Sequence, residues 1–148
     1  MSLLGRLLHR FRDAHAEPLP APDEKLALGA LLVRVAKSDK VYTVSEISLI
    51  DRILAQHFGL NPVAAAKMRA TCEKLQAAAP ESDEFAELIR KELSYDERME
   101  ALCDLWQVVR ADGSEDAVEI EIVEAVRVAL GLSEADSATA HLKAQKTT

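Results

Sequence analysis

The sequence predicts an all-α multi-helix bundle of about eight helices, because apolar residues recur at helical spacing through every long segment. Two further observations support it. The five Gly and five Pro fall in the breaks between the periodic runs. A pattern of helix, short acidic turn and second helix also occurs twice, which is the mark of an internal duplication. The first copy is VAKSDKVYTVSEISLIDRILAQHFGL and the second VRADGSEDAVEIEIVEAVRVALGL.

The duplication has a register. Asp39, Thr43 and Glu46 lie 73 residues before Asp112, Asp116 and Glu119, as Leu32 and Val35 do before Leu105 and Val108. Gly59-Leu60 matches Gly131-Leu132 at 72, so one residue is lost in the last helix turn. The match is imperfect: Leu31 falls opposite Asp104, so the two copies cannot bury identical faces.

Residues 1–13 place Leu3, Leu4, Leu7, Leu8 and Phe11 on one side and Arg6, Arg10 and Arg12 on the other, a short basic amphipathic helix. Residues 14–22 are a Pro-rich linker, since proline lacks an N–H and restricts the residue before it. The helical domain spans 23–142. Its first helix begins at Asp23 and carries Leu28, Leu31, Leu32 and Val35 on one face. Thr43 and Glu46 have capping-box spacing, and Ile47, Ile50, Leu54 and Phe58 follow as a stripe stopped by Gly59. Asn61-Pro62 restarts the chain as N-cap and first helical residue. Ala65, Met68, Cys72, Leu75 and Ala79 form the next seam.

After Pro80, Ser82 is placed to cap a helix bearing Phe85, Leu88 and Ile89. Ser94 and Glu97 make another capping box, ahead of a core face of Met99, Leu102, Cys103, Trp106 and Val109, with Trp106 as its central packing residue. Asp112-Gly113 is a turn, with Gly at positive φ. Asp116 and Glu119 cap a helix whose inward residues are expected to be Val118, Ile122, Ala125 and Ala129. Ser133 caps the last helix, and 143–148 is expected to be a flexible tail.

Charge and composition narrow the function. The chain carries −7 overall, and residues 81–124 hold fifteen acids against four bases. Nucleic acid is thereby disfavoured, since phosphate binding needs basic surface; a cation or a basic protein surface suits that half. Cys72 and Cys103, 31 residues apart, fit no metal or redox spacing and read as buried, reduced thiols of a cytoplasmic protein. No apolar run approaches the ~20 residues of a membrane span, and residues 1–13 lack a secretory core, although they could make a weak membrane-surface contact. Enzymatic motifs are missing: no phosphate loop, nucleophile elbow or HExxH occurs, and the four histidines are scattered. His57 is placed to favour a helix C-terminus.

The acidic turns are the candidate site. Asp112, Ser114, Glu115, Asp116 and Glu119 offer several oxygen ligands within eight residues, the kind hard cations prefer. Asp39 and Glu46 are a thinner copy. The loop is too short for an EF-hand, and capping accounts for Asp116 and Glu119. Capping does not account for an aspartate seven residues before the glutamate in both copies. If the hairpins pack about a pseudo-twofold axis, Asp39, Glu46, Asp112 and Glu119 converge on one acidic patch, with Glu115 and Asp116 as additional ligands.

These segments, ALLVRVAKSDKVYTVSE and LWQVVRADGSEDAVEIEIVEAVRVALGL, resemble the twin motif of TerB-like proteins. The family pattern is an apolar helix, Ala-Asp-Gly and a Glu seven after the Asp, given twice. Ala111-Asp112-Gly113 with Glu119 matches it; the first copy has Lys40 where the family has Gly, which sets a positive charge beside Asp39. The resemblance implies an all-α domain linked to tellurite resistance and envelope stress, with Asp39, Glu46, Asp112 and Glu119 as proposed metal or partner residues. The reading is therefore a non-enzymatic interaction or scaffold domain engaging protein partners, some membrane-associated, through an acidic surface. The alternative is a protein that binds or senses a divalent metal ion.

Overall fold

The computed structural model describes residues 21–147 apart from 39–40, 81–82, 112 and 114. Seven helices and no strand occur among the described residues: α1 (Glu24–Lys37), α2 (Val44–Phe58), α3 (Pro62–Ala78), α4 (Glu84–Glu92), α5 (Tyr95–Val109), α6 (Ala117–Ala129) and α7 (Glu134–Thr147). The eighth expected helix, over residues 1–13, and the linker through residue 20 lie outside them. Of the tail expected over 143–148, residues through 147 are described and continue a helix. α7 runs through Thr147 and Ala144 is buried completely, so helix packing carries on past the last apolar residue of the sequence stripe.

α1 is the centre of the molecule. It touches α2, α3, α4, α5 and α6. Its middle, Ala27 to Val33, is buried all round rather than on one stripe, as an apolar helix with neighbours on every side must be. Each fully buried leucine there, such as Leu31 and Leu32, contributes about 2 kcal/mol. The helix reaches its neighbour closely at Gly29, where a Cβ would stand 2.2 Å from Cys72 Sγ on α3.

The duplication is larger than the sequence suggests, because it takes in a third helix. α3 packs on α1 as α7 packs on α5, and α4 links the two triplets. The contacts are reciprocal: α1 meets α6, and α5 meets α2. Asn61 caps α3 through Ala64 N at 2.8 Å, and its counterpart Ser133 caps α7 through Asp136 N at 3.0 Å. The buried residues Ala65 and Cys72 of α3 have Ser137 and Ala144 as counterparts, 72 residues on and also buried.

Two capping boxes form as the spacing requires, at Thr43/Glu46 and Ser94/Glu97. The third is only half made. Asp116 Oδ1 accepts from Val118 N and Glu119 N at 2.8 and 3.3 Å, while the Glu119 side chain turns inward. α4 starts at N-cap Asp83 with no side-chain cap, and the expected cap Ser82 lies outside the described residues. Gly59, Gly113 and Gly131 take positive φ, as the turns demand.

The inward face of α6 differs from the expected stripe. Ile122 and Ala129 pack partly buried against the core as expected, but Val118 and Ala125 are exposed, and the fully buried residues are Glu119, Val123 and Val126. The reason is the duplication: Glu119, Val123 and Val126 lie 73 residues after Glu46, Ile50 and Ile53, three of the four buried positions of α2, the fourth being Leu54. Both copies bury the same helical face, and each begins it with a glutamate.

Candidate functional site

The corners that join α1 to α2 and α5 to α6 are each tied down by their own chemistry. In the first, Tyr42 precedes the α2 cap and donates its hydroxyl to Glu73 Oε2 on α3 at 2.7 Å. Burial, then that carboxylate, push the Tyr42 hydroxyl well above its usual pKa. Arg69 holds the same Glu73 at 3.0 Å and reaches Asp51 at 2.6 Å, so α3 ties down both the residue before the α2 cap and the middle of α2. Glu46 closes its box, with Oε1 accepting from Thr43 N and Thr43 Oγ1, each at 2.9 Å.

In the second corner, Arg110 at the end of α5 pairs with Glu115 at 3.1 Å. Glu115 also meets His141 of α7 at 2.5 Å, and that ring stacks on Trp106 with centroids 4.0 Å apart. The His141 bond, then Arg110, hold the Glu115 carboxyl below its usual range. Trp106 is the packing centre expected: it is buried, and its Nε1 donates to Ser137 Oγ at 3.1 Å. Ser137 in turn donates to Glu124 of α6 at 2.9 Å.

The first two turns of α2 and the second corner lie across one groove of about 550 Å3. Val44 and Ser45 bring the start of α2 to one wall, and Arg110, Ala111 and Gly113 bring the second corner to the other. Of the candidate ligands, Glu46 and Glu119 are buried at 3% and 2% exposure, at equivalent places in the two copies. Glu115 is engaged by Arg110 and His141, and Asp116 by the α6 N-terminus. Asp39, Asp112 and Ser114 lie outside the described residues. Among the described residues, no group of three or more His, Cys, Asp or Glu side chains is arranged to hold a metal ion.

The pattern of the matched residues agrees with a comparison against protein families: the family model for tellurite resistance protein TerB matches residues 25–142. The chain belongs to the TerB family. No curated protein and no solved structure matches it. The TerB match spans all seven described helices, entering at the start of α1 and ending within α7. No helix among the described residues is long and apolar enough to cross a membrane.

One polar pair in this TerB-family domain was missed by sequence reasoning. His57, expected to act only on the α2 C-terminus, places Nε2 2.7 Å from Asp104 Oδ2 on α5. Pairing with Asp104 raises the His57 pKa against the opposing effect of burial, while burial raises the carboxyl of Asp104 against the pull of His57. The signal was present in the duplication: Asp104 stands where the first copy has Leu31, and a charged residue on an otherwise apolar face needs a partner. Cys72 and Cys103 are reduced and buried, as expected. Burial pushes the Cys72 thiol up to about 12.

Proposed function

We propose that this domain serves in tellurite-resistance-associated stress response as a non-enzymatic interaction module, with its two corners forming one composite surface for a protein partner. The observation that carries the reading is the shared groove: Val44 and Ser45, the helical residues just after the first corner, and Gly113 from the second line the same depression. Corners at opposite ends of the bundle would leave no composite surface. The acidic excess of residues 81–124 suits a basic partner surface around the groove, whose own described charged residues are Arg52 and Arg110, and residues 1–13 would bring the domain to membrane-associated partners. Affinity purification with wild-type and Asp112→Asn/Glu119→Gln bait tests it. Loss of specific partners from the variant is expected; recovery of the same proteins with both baits removes the corners from partner recognition.

A second reading, divalent-metal binding or sensing, is favoured by one feature: each copy buries a glutamate, Glu46 or Glu119, at the first inward position after the corner. The hard-oxygen donor set suits Ca²⁺ or Mg²⁺, but the described residues alone do not complete it, so this reading depends on Asp39 and Asp112. A thermal melt with millimolar Ca²⁺, Mg²⁺ or Zn²⁺ separates the two. A site filled at 100 times its Kd adds about 2.7 kcal/mol. A shift lost in Asp112→Asn/Glu119→Gln supports the metal; no shift leaves the interaction module.

A further inference from the structure

The duplication pairs six of the seven described helices and leaves α4 without an equivalent. α1 meets α2, α3, α4, α5 and α6, whereas α5, its equivalent, meets α6, α7, α1 and α2. No described helix lies on α5 as α4 lies on α1. We infer that residues 1–13 of this chain fill that place, docking as a helix in the furrow between α5 and the end of α2. The contact is within the chain and rests on neither reading above.

The place is open where its equivalent is covered. α4 also touches α6, and its Arg90 lies on the glycine that ends that helix: a Cβ on Gly131 would stand 2.7 Å from Arg90 Nε. At the equivalent Gly59, an added Cβ meets no described atom within 4 Å. Leu130 and Leu132 beside Gly131 are buried, but Phe58 and Leu60 beside Gly59 are only half-buried. Along α5, Glu97, Glu100 and Asp104 share one face at i, i+3 and i+7. Their equivalents in α1 are Glu24, Ala27 and Leu31, of which the last two are fully buried, while Glu100 is exposed. Two depressions, of about 300 and 220 Å3, share His57 and Glu100 and so run together along this face.

The furrow suits this occupant in shape and charge. Its larger part has Leu28, Phe58 and Leu93 as an apolar floor, with Glu24, Glu97 and Glu100 around it. The described cations there have partners: Lys25 Nζ lies 5.5 Å over the Phe58 ring, and His57 is paired with Asp104. Lys143 lines the smaller part. α4 buries Phe85, Ala86 and Ile89, at i, i+1 and i+4. Leu7, Leu8 and Phe11 repeat that spacing. Arg10 stands three residues from Leu7 and Arg12 four from Leu8, so in a helix both border the apolar stripe, with stems long enough to bring their charges to the glutamates.

The chain also leads the right way. α4 runs from Asp83, 3.5 Å from Arg34 near the end of α1, back to Leu93 and the start of α5. A segment lying the same way on α5 would end beside Glu24, where α1 begins. Glu24 stands thirteen residues after Phe11, and Glu97 eight after Ile89. Thirteen residues reach about 40 Å when extended, farther than the ~22 Å length of α5. So short a tether gives an effective concentration of about a millimolar, at which a weak contact fills the furrow. The leucines that dock here are those a membrane would take, so the two contacts exclude each other.

The test uses the full chain labelled with ¹³C and ¹⁵N. Nuclear Overhauser contacts from the Leu7, Leu8 or Phe11 side chains to the Phe58 ring or the Leu93 methyls are expected. Leu7→Asp/Leu8→Asp should abolish them and shift the Phe58, Glu97 and Glu100 amides, leaving the amide of Val128, exposed on α6, where it is. Isotope filtering of a mixture of labelled and unlabelled chains separates the occupants: contacts within one chain support the proposal, and contacts only between chains give the furrow to a second copy and overturn it. Missing contacts in the wild type, or furrow amides that do not move in Leu7→Asp/Leu8→Asp, overturn it as well.

Discussion

Removing one half of the His57–Asp104 pair gives the sharpest test of how this bundle is held. Asp104 is 7% exposed, and its Oδ2 lies 2.7 Å from His57 Nε2. His57→Ala leaves a desolvated carboxylate without its cation. Stripping one partner from a fully buried ion pair costs 3–5 kcal/mol, but His57 is a quarter exposed and water could enter the space it vacates, which brings the figure to about 2 kcal/mol. For a domain of this size that lowers Tm by about 4–8 °C. A double-mutant cycle with Asp104→Ala, followed by urea or thermal unfolding, should give a coupling of at least about 1 kcal/mol.

The pH dependence has a definite sign. The folded His57 pKa is raised, by its bond to Asp104. Its stabilisation is therefore complete below the unfolded value of about 6.5 and is lost as pH rises through the folded value. Asp104, also raised, shifts stability only in the acid range, where its carboxyl first ionises. Wild type should lose stability on going from pH 6 to higher pH, and His57→Gln should lose less. Copy one offers a control, since Leu31 is fully buried where copy two has Asp104. Replacing both partners, as Asp104→Leu/His57→Leu, should come within about 1 kcal/mol of wild type, because apolar replacement of a buried pair is often neutral. Additive single-mutant losses together with an unchanged pH profile would refute the reasoning.

Other parts of the fold make equally direct predictions. Gly29→Ala forces a Cβ to within 2.2 Å of Cys72 Sγ and should cost about 1–3 kcal/mol in chemical denaturation despite alanine's better helix propensity; Cys72→Ala in the same chain should recover most of it. Cys72, with its thiol pushed up to about 12 and its Sγ donating to Leu26 O at 3.6 Å, should resist alkylation in the native state and react only on unfolding; rapid labelling of native protein would contradict its placement. Trp106→Phe deletes the bond to Ser137 and should cost about 1–2 kcal/mol in urea unfolding, with Leu102→Ala in the same core costing more, about 2–5 kcal/mol.

Several features were legible because they are local. Thr43/Glu46 and Ser94/Glu97 had to cap, since the first N–H groups of a helix need acceptors and the spacing supplied them. Gly59 and Gly131 had to end helices in the left-handed region. The paired corners were visible as a 73-residue repeat. The α6 face was half legible: Ile122 and Ala129 pack against the core as expected, but Val118 and Ala125 are exposed, because the face that packs is fixed by the partner helices and places Glu119 inside with Val123 and Val126. Extension of the repeat to α3 and α7 was also hidden, because their shared signal is small buried residues, Ala65 and Cys72 against Ser137 and Ala144, rather than a hydrophobic stripe.

What the chain alone determined is thus its helices, their ends and their duplication, all of which rest on interactions within a few residues or on counting along the sequence. Only the tertiary structure decided that α1 is buried all round, that Asp104 finds His57, and that the start of α2 and the second corner border a single groove. Those depend on which helices meet. A carboxylate opposite a leucine in a repeat says that a partner must exist, but packing across the bundle is what supplies it.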